Sequence, residues 1–134
     1  MSGESILGGS ELVAFAPTTN PEKARAFYED VLGLRLLADD KPFALVFDAH
    51  GTMLRVTTVP EFQPDPFTVL GWDVSNIEAT ADRLAAVGVE FNRYKGVNDA
   101  DPRGIWNSPS GARVAWFKDP DGNVLSVTQF PKSA

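Results

Sequence analysis

The sequence predicts an α+β fold in which two tandem βαβββ repeats form paired, curved mixed sheets. Two observations carry that prediction. The order strand, helix, strand, strand, strand is legible twice along the 134 residues. The two passes also share landmarks: Val13, Asn20 and Glu22 recur 56 positions on as Val69, Asn76 and Glu78, and Gly33 recurs 55 on as Gly88. One single-residue gap therefore aligns them. Neither unit can bury its sheet alone, so the two must pack into one body, with a concave space between the sheets as the natural ligand site.

Residues 1–10, which include Gly3, Gly8, Gly9 and Ser10, read as a flexible lead-in. A single domain follows over 11–130, with repeat one at 11–59 and repeat two at 67–130. The apolar residues 12–16 are the first strand. Asn20 can cap the first helix, Pro21 fits its first position, and Glu22 suits the positive end of its dipole. Ala24, Phe27, Tyr28, Val31 and Leu32 then fall on one apolar stripe, and Gly33 can take the positive φ that stops a helix. Strands are expected at 34–37, 43–47 and 53–59, the last two joined through the turn chemistry of Asp48-Ala49-His50-Gly51. The Pro-bearing stretch 60–66 separates the repeats.

Repeat two opens with a strand over 68–74. Asn76 or Ser75 caps its helix, Ile77, Ala81, Leu84 and Val87 form the buried face, and Gly88 ends it. The remaining strands are expected at 89–94, 104–107, 112–118 and 124–130. Asp119-Pro120-Asp121-Gly122-Asn123 is a tight turn between the last two, with Gly122 free to turn left-handed.

Charge and composition narrow the partners. Eighteen Asp and Glu against 12 Lys and Arg give a formal charge of −6, and no basic cluster runs against that trend, so nucleic acid is not an expected partner. The chain has no cysteine, which removes disulfides, thiolate metal sites and thiol catalysis. No apolar run approaches the roughly 20 residues of a membrane span, and the first ten residues lack a basic start followed by an apolar stretch. The expectation is a cytoplasmic protein with no membrane partner.

Two motifs carry a resemblance: Ala26-Phe27-Tyr28-Glu29-Asp30-Val31-Leu32-Gly33-Leu34 in the first repeat, and the turn Asp119-Pro120-Asp121-Gly122-Asn123 in the second. With them the sequence resembles the vicinal oxygen chelate superfamily of glyoxalases, bleomycin-resistance proteins and extradiol dioxygenases, over nearly the whole chain. The resemblance implies two inward-curving sheets that form a funnel. In most enzymes of that family it also implies a divalent metal held by a His on the first strand of each unit and a Glu after the second motif. Carried over by position, those ligands fall on Val13, Val69 and Ser126, and a further carboxylate used by some members falls near Arg55 or Thr57. Two aliphatics and a hydroxyl cannot supply the imidazole and carboxylate donors such a metal needs, so no metal and no other cofactor is expected.

If the metal-equivalent positions face the funnel, strand alternation places a lining beside them. The expected ligand-binding residues are Phe15, Met53, Arg55, Thr57, Val69, Val114, Trp116, Ser126 and Thr128, with Val13 and Gly71 on the same face. Trp72, Val74, Phe117 and Val127 belong to the opposite face, beneath the helices. Arg55 can clamp a carboxylate, or else reach past the sheet rim into water. Trp116 can stack on a planar or cationic ligand, or else pack in a core or dimer interface. Trp106 and Tyr94 either form a rim or simply pack. His50, the one histidine, reads as a solvated turn residue with no acidic partner to make it a base. Asp119 and Asp121 read as turn-stabilising side chains, with a cation pair as the alternative. No Gly-rich phosphate loop, serine nucleophile elbow or His/Glu cluster is present.

The leading functional expectation is a metal-independent, glyoxalase/bleomycin-resistance-like protein that binds a small amphipathic or aromatic molecule in the funnel. The alternatives are a metal-dependent lyase, epimerase or dioxygenase with displaced ligands, and a non-catalytic dimerisation module. A homodimer is expected, because open sheet edges need cover.

Overall fold

The computed structural model describes residues 5–132. Of the expected lead-in, Gly3 lies outside the described residues, and residues 5–10 form exposed bends and turns.

The first repeat runs β1 (Val13–Thr18), α1 (Pro21–Arg25), β2 (Arg35–Asp40), β3 (Ala44–Ala49) and β4 (Thr52–Thr58). The second runs β5 (Thr68–Asp73), α2 (Ile77–Ala86), β6 (Trp106–Asn107), β7 (Arg113–Lys118) and β8 (Val124–Gln129). Each makes a four-stranded mixed sheet of the same topology, ordered β1-β4-β3-β2 and β5-β8-β7-β6, with the first strand parallel to the last. The repeat extends to backbone geometry. Asn20 (φ −143°, ψ 90°) and Asn76 (φ −143°, ψ 93°) cap the two helices alike, each side chain accepting from the backbone N–H three residues on. Gly33 (φ 79°) and Gly88 (φ 97°) end them, and His50 (φ 52°) with Gly51 (φ 94°) makes the two-residue turn between β3 and β4.

Four expectations need correction. The first helix is not α-helical to its end: after Arg25 it widens into a π-helix over Ala26–Val31, where Leu32 N–H donates to the Phe27 carbonyl. The wider turn lets the adjacent Phe27 and Tyr28 both reach inward, their rings edge to face at 5.3 Å. Residues 89–94 are not a strand. Phe91 makes one isolated bridge to Phe117, and the chain then leaves the sheet in a loop. The expected strand 104–107 shrinks to Trp106–Asn107. On α2, Ile77 and Ala81 are buried as expected, but Val87 is exposed because the helix already ends at Ala86.

Trp72, Val74, Phe117 and Val127 do lie on the helix side, in one core with Tyr28, Phe47, Leu54, Val56, Ala115 and Leu125. That core draws on both sheets. Inside one chain the sheets therefore meet through their helix-side residues, not across a concave space, and the opposite faces stay open: Phe15 is 62% exposed and Val69 39%.

Candidate functional site

The open face of the second sheet is set by register. Asp73, Thr128, Val114 and Trp106 form one row across β5, β8, β7 and β6, and Gly71, Ser126 and Trp116 form the next. On the first sheet, Val13 pairs with Met53, Phe15 with Arg55 and Pro17 with Thr57. Phe15, Met53, Arg55 and Thr57 thus share one face, and Val114, Trp116, Ser126 and Thr128 share another. Val69 is the exception. Two residues of β5 oppose one of β8 between Thr68 and Leu70, a β-bulge that suspends the alternation at Val69 itself.

Three aromatic side chains gather on the second sheet. Trp106 stacks on Trp116 with ring centres 5.9 Å apart and planes at 30°, and Tyr94 meets Trp116 edge-on at 5.5 Å. Trp106 and Tyr94, which the sequence offered as rim or as plain packing, both pack against Trp116. Tyr94 sits on the loop that leaves the sheet after Phe91 and Trp106 on β6 where that loop returns, and one side chain holds the loop. Asn98, only 2% exposed, accepts from Tyr94 N–H at 2.7 Å and donates to the carbonyls of Asn92 (2.8 Å) and Gly104 (2.7 Å). Arg93 adds hydrogen bonds to the carbonyls of Asn98, Asp101 and Pro102. Nothing in periodicity or spacing marks Asn98, because its partners are backbone atoms of a non-repeating loop.

Arg55 does not stand alone. Its guanidinium lies 4.0 Å from the Asp40 carboxylate, so its charge already has a counterpart within the first sheet. It belongs to the first sheet and Trp116 to the second, and the clefts on the helix side bring in neither. One of about 400 Å³ lies between Phe27, Val31, Val87 and Phe91, and an apolar one of about 190 Å³ lies beneath α2 against Trp72 and Phe117. None of the nine expected binding residues lines either.

Asp119 and Asp121 do more than shape their turn. Asp119 Oδ1 accepts from the backbone of Asp121 and Asn123, while Oδ2 accepts from Asn123 Nδ2 and from the Tyr28 hydroxyl, both at 2.7 Å. Asp121 accepts from Thr18 Oγ1 (2.6 Å), Thr19 N–H (2.7 Å) and Thr19 Oγ1 (2.7 Å), and Asn123 Nδ2 also donates to the Pro17 carbonyl. The motif turn of repeat two is thus tied to the first strand and helix of repeat one. Burial first, and the Asp119 carboxylate second, raise the Tyr28 phenol far above its ordinary range.

The family model described as the Glyoxalase/Bleomycin resistance protein/Dioxygenase superfamily matches residues 12–127. The chain belongs to that superfamily. The positions that the sequence resemblance assigns to its metal ligands are Val13 on β1, Val69 in the β5 bulge and Ser126 on β8, and aliphatic and hydroxyl side chains do not fit a divalent metal. Among the described residues no three His, Cys, Asp or Glu side chains come together as a metal-binding group.

Solved structures of the superfamily align over nearly the full chain. TnmS3, an antibiotic binding protein from Streptomyces sp. CB03234, is 26% identical with a TM-score of 0.72, covering 95% of this chain and 100% of that one. A glyoxalase/bleomycin resistance protein from the same organism is 28% identical with a TM-score of 0.64, over 90% and 100% of the two chains. Lactoylglutathione lyase from Agrobacterium tumefaciens is 18% identical with a TM-score of 0.67, over 91% and 95%, a likeness of fold. No curated protein matches the chain. Among the described residues no helix is long and apolar enough to cross a membrane.

Proposed function

We propose that this superfamily member is a metal-independent binding protein for a small amphipathic or aromatic molecule, held against the open faces of its sheets. One observation carries the reading. The face that bears Ser126, a donor-poor counterpart of a metal ligand, bears the stacked Trp106–Trp116 pair with Tyr94 beside it. A surface that cannot polarise an oxygen through a metal, yet offers rigid aromatic area, is suited to holding a flat molecule. Phe15, Met53, Arg55, Thr57, Val69, Val114, Ser126 and Thr128 supply the remaining contacts in this reading. The likeness to an antibiotic binding protein at 26% identity supports the same class of ligand.

The site needs a second copy of the chain. Phe15 and Met53 on the first sheet and Val69 on the second are exposed apolar residues, and a homodimer that lays one chain's open sheet against its partner's would enclose them. The working context is the cytoplasm, without nucleic acid or membrane as partners.

A library of aromatic and amphipathic compounds, screened by ligand-observed NMR against chelator-treated protein, tests the reading. Binders should appear without added metal, and Trp116→Leu should weaken them. A stoichiometric metal in elemental analysis, lost together with binding on chelation, would overturn it.

A further inference from the structure

The two repeats fill the space beneath their helices differently. Leu84 follows Tyr28 by the same 56 positions that separate the caps Asn20 and Asn76. Strand register extends the match. In the first sheet Ala16 pairs with Val56 and Phe47 with Leu54; in the second Trp72 pairs with Val127 and Phe117 with Leu125. Phe117 thus holds the place of Phe47, and Trp72 that of Ala16. In repeat one the π-turn seats the Tyr28 ring, wholly buried, against Phe47, with ring centres 5.8 Å apart. Repeat two has neither the π-turn nor the ring. There α2 stays α-helical, and Leu84 stands where Tyr28 does.

The apolar pocket of about 190 Å³ beneath α2 lies where that ring is missing. Leu84 and Phe117, the counterparts of the touching pair Tyr28 and Phe47, both line it. Trp72 is larger than Ala16, yet it lines the pocket without filling it. Leu32 and Leu34 of repeat one close another side, and the buried Phe117 and Val127 carry the pocket into the core. Thr80 is the one polar side chain of the lining, and its hydroxyl already donates to the Asn76 carbonyl at 3.0 Å. Such a lining holds water poorly, and an apolar cavity of about 150 Å³ is already large enough for benzene. A charged group would lose its hydration here without gaining a partner. Asp30 and Arg83 stand outside, in the neighbouring cleft around Gly33, one of each sign, so the approach favours neither.

We propose that this pocket is a second binding site, for one neutral aromatic ring of about benzene's size, which takes the place that Tyr28 fills in repeat one. It lies on the helix side of the second sheet, opposite the face of Trp116, and does not depend on the open-face reading above.

Fluorobenzene is the probe, followed by fluorine NMR and by the methyl shifts of isotope-labelled protein. Saturable shifts should appear at Leu32, Leu34, Leu84 and Val127, with a Kd of about 0.1–1 mM, within reach of a ligand of about seven non-hydrogen atoms. 4-Fluorobenzoate and 4-fluorobenzylammonium should each bind at least about tenfold more weakly. Leu84→Phe supplies the ring covalently, so it should abolish the fluorobenzene shifts without lowering the melting midpoint. Thr80→Leu fills the pocket from the neighbouring turn of α2 and should block binding too, which keeps the test intact if the new phenylalanine does not seat. Trp116→Leu should leave the fluorobenzene affinity unchanged. Shifts that gather instead at Val114 and Thr128, or that vanish in Trp116→Leu, would assign the ring to the open face and overturn the second site. So would the absence of saturable shifts up to about 10 mM, or fluorobenzene binding undiminished in both filled variants.

Discussion

At the scale of single residues, the contact between Tyr28 and Asp119 joins positions 91 apart with both partners buried. Removing the phenol oxygen by Tyr28→Phe leaves Asp119 Oδ2 with Asn123 alone. The loss of a hydrogen bond to a charged acceptor should destabilise the chain by about 1–3 kcal/mol, measured by denaturant unfolding at neutral pH. The pH dependence has a definite sign. The folded phenol holds its proton far above the ordinary range, so the unfolded chain releases that proton first as pH rises. The stabilisation is therefore fully present below about pH 10, the ordinary tyrosine value, and is lost progressively above it. The gap in unfolding midpoint between parent and Tyr28→Phe should narrow from there upward. A constant gap between about pH 8 and pH 11 would show that the phenol titrates normally.

At the scale of elements, the loop after Phe91 and the glycine stop of the first helix make separate predictions. Asn98→Ala strands a part-buried N–H and two carbonyls that now share one amide, which should cost about 1–3 kcal/mol. It should also loosen Tyr94 and Trp106 from Trp116, and so flatten the near-ultraviolet dichroism of the tryptophan pair while the far-ultraviolet spectrum keeps its sheet signal. Unchanged aromatic dichroism would separate Asn98 from the aromatic side chains it is held to position. Gly33 presents a simpler case. Nothing lies within 4 Å of an added Cβ, so Gly33→Val meets only the cost of φ 79°, about 1–2 kcal/mol for a residue with a side chain. A melting midpoint equal to the parent's would mean that this backbone relaxes at no cost.

At the scale of the whole molecule, the two repeats share one core on the helix side, and their open faces look away from it. The polar ties from Asp119, Asp121 and Asn123 to repeat one fix the two units relative to each other from within. What remains uncovered is apolar surface that a second chain can bury. Sedimentation at micromolar concentration should give about twice 14.5 kDa, and Phe15→Asp should shift the equilibrium toward monomer. A parent chain that sediments as a monomer would count against a site shared between copies.

Sequence by itself determined the repeat, the caps and the faces. Helix ends and strand alternation are local: Asn20 and Asn76 cap through a backbone N–H three residues away, and Gly33 and Gly88 stop through their own φ. The same locality sorted Phe15 and Arg55 onto one face and Ala16 and Val56 onto the other. It failed where a neighbour in space changes the count. The bulge at Val69 depends on how β5 meets β8, the π-turn on how Phe27 and Tyr28 seat in the core, and the missing strand at 89–94 on the loop that Asn98 closes with backbone partners. The site was legible to the same degree. Trp116 and Ser126 were readable from alternation, but only the folded chain pairs Arg55 with Asp40 and stacks Trp106 on Trp116. Whether a charge is compensated depends on which distant side chains arrive within a few ångströms of it, and that is decided by packing.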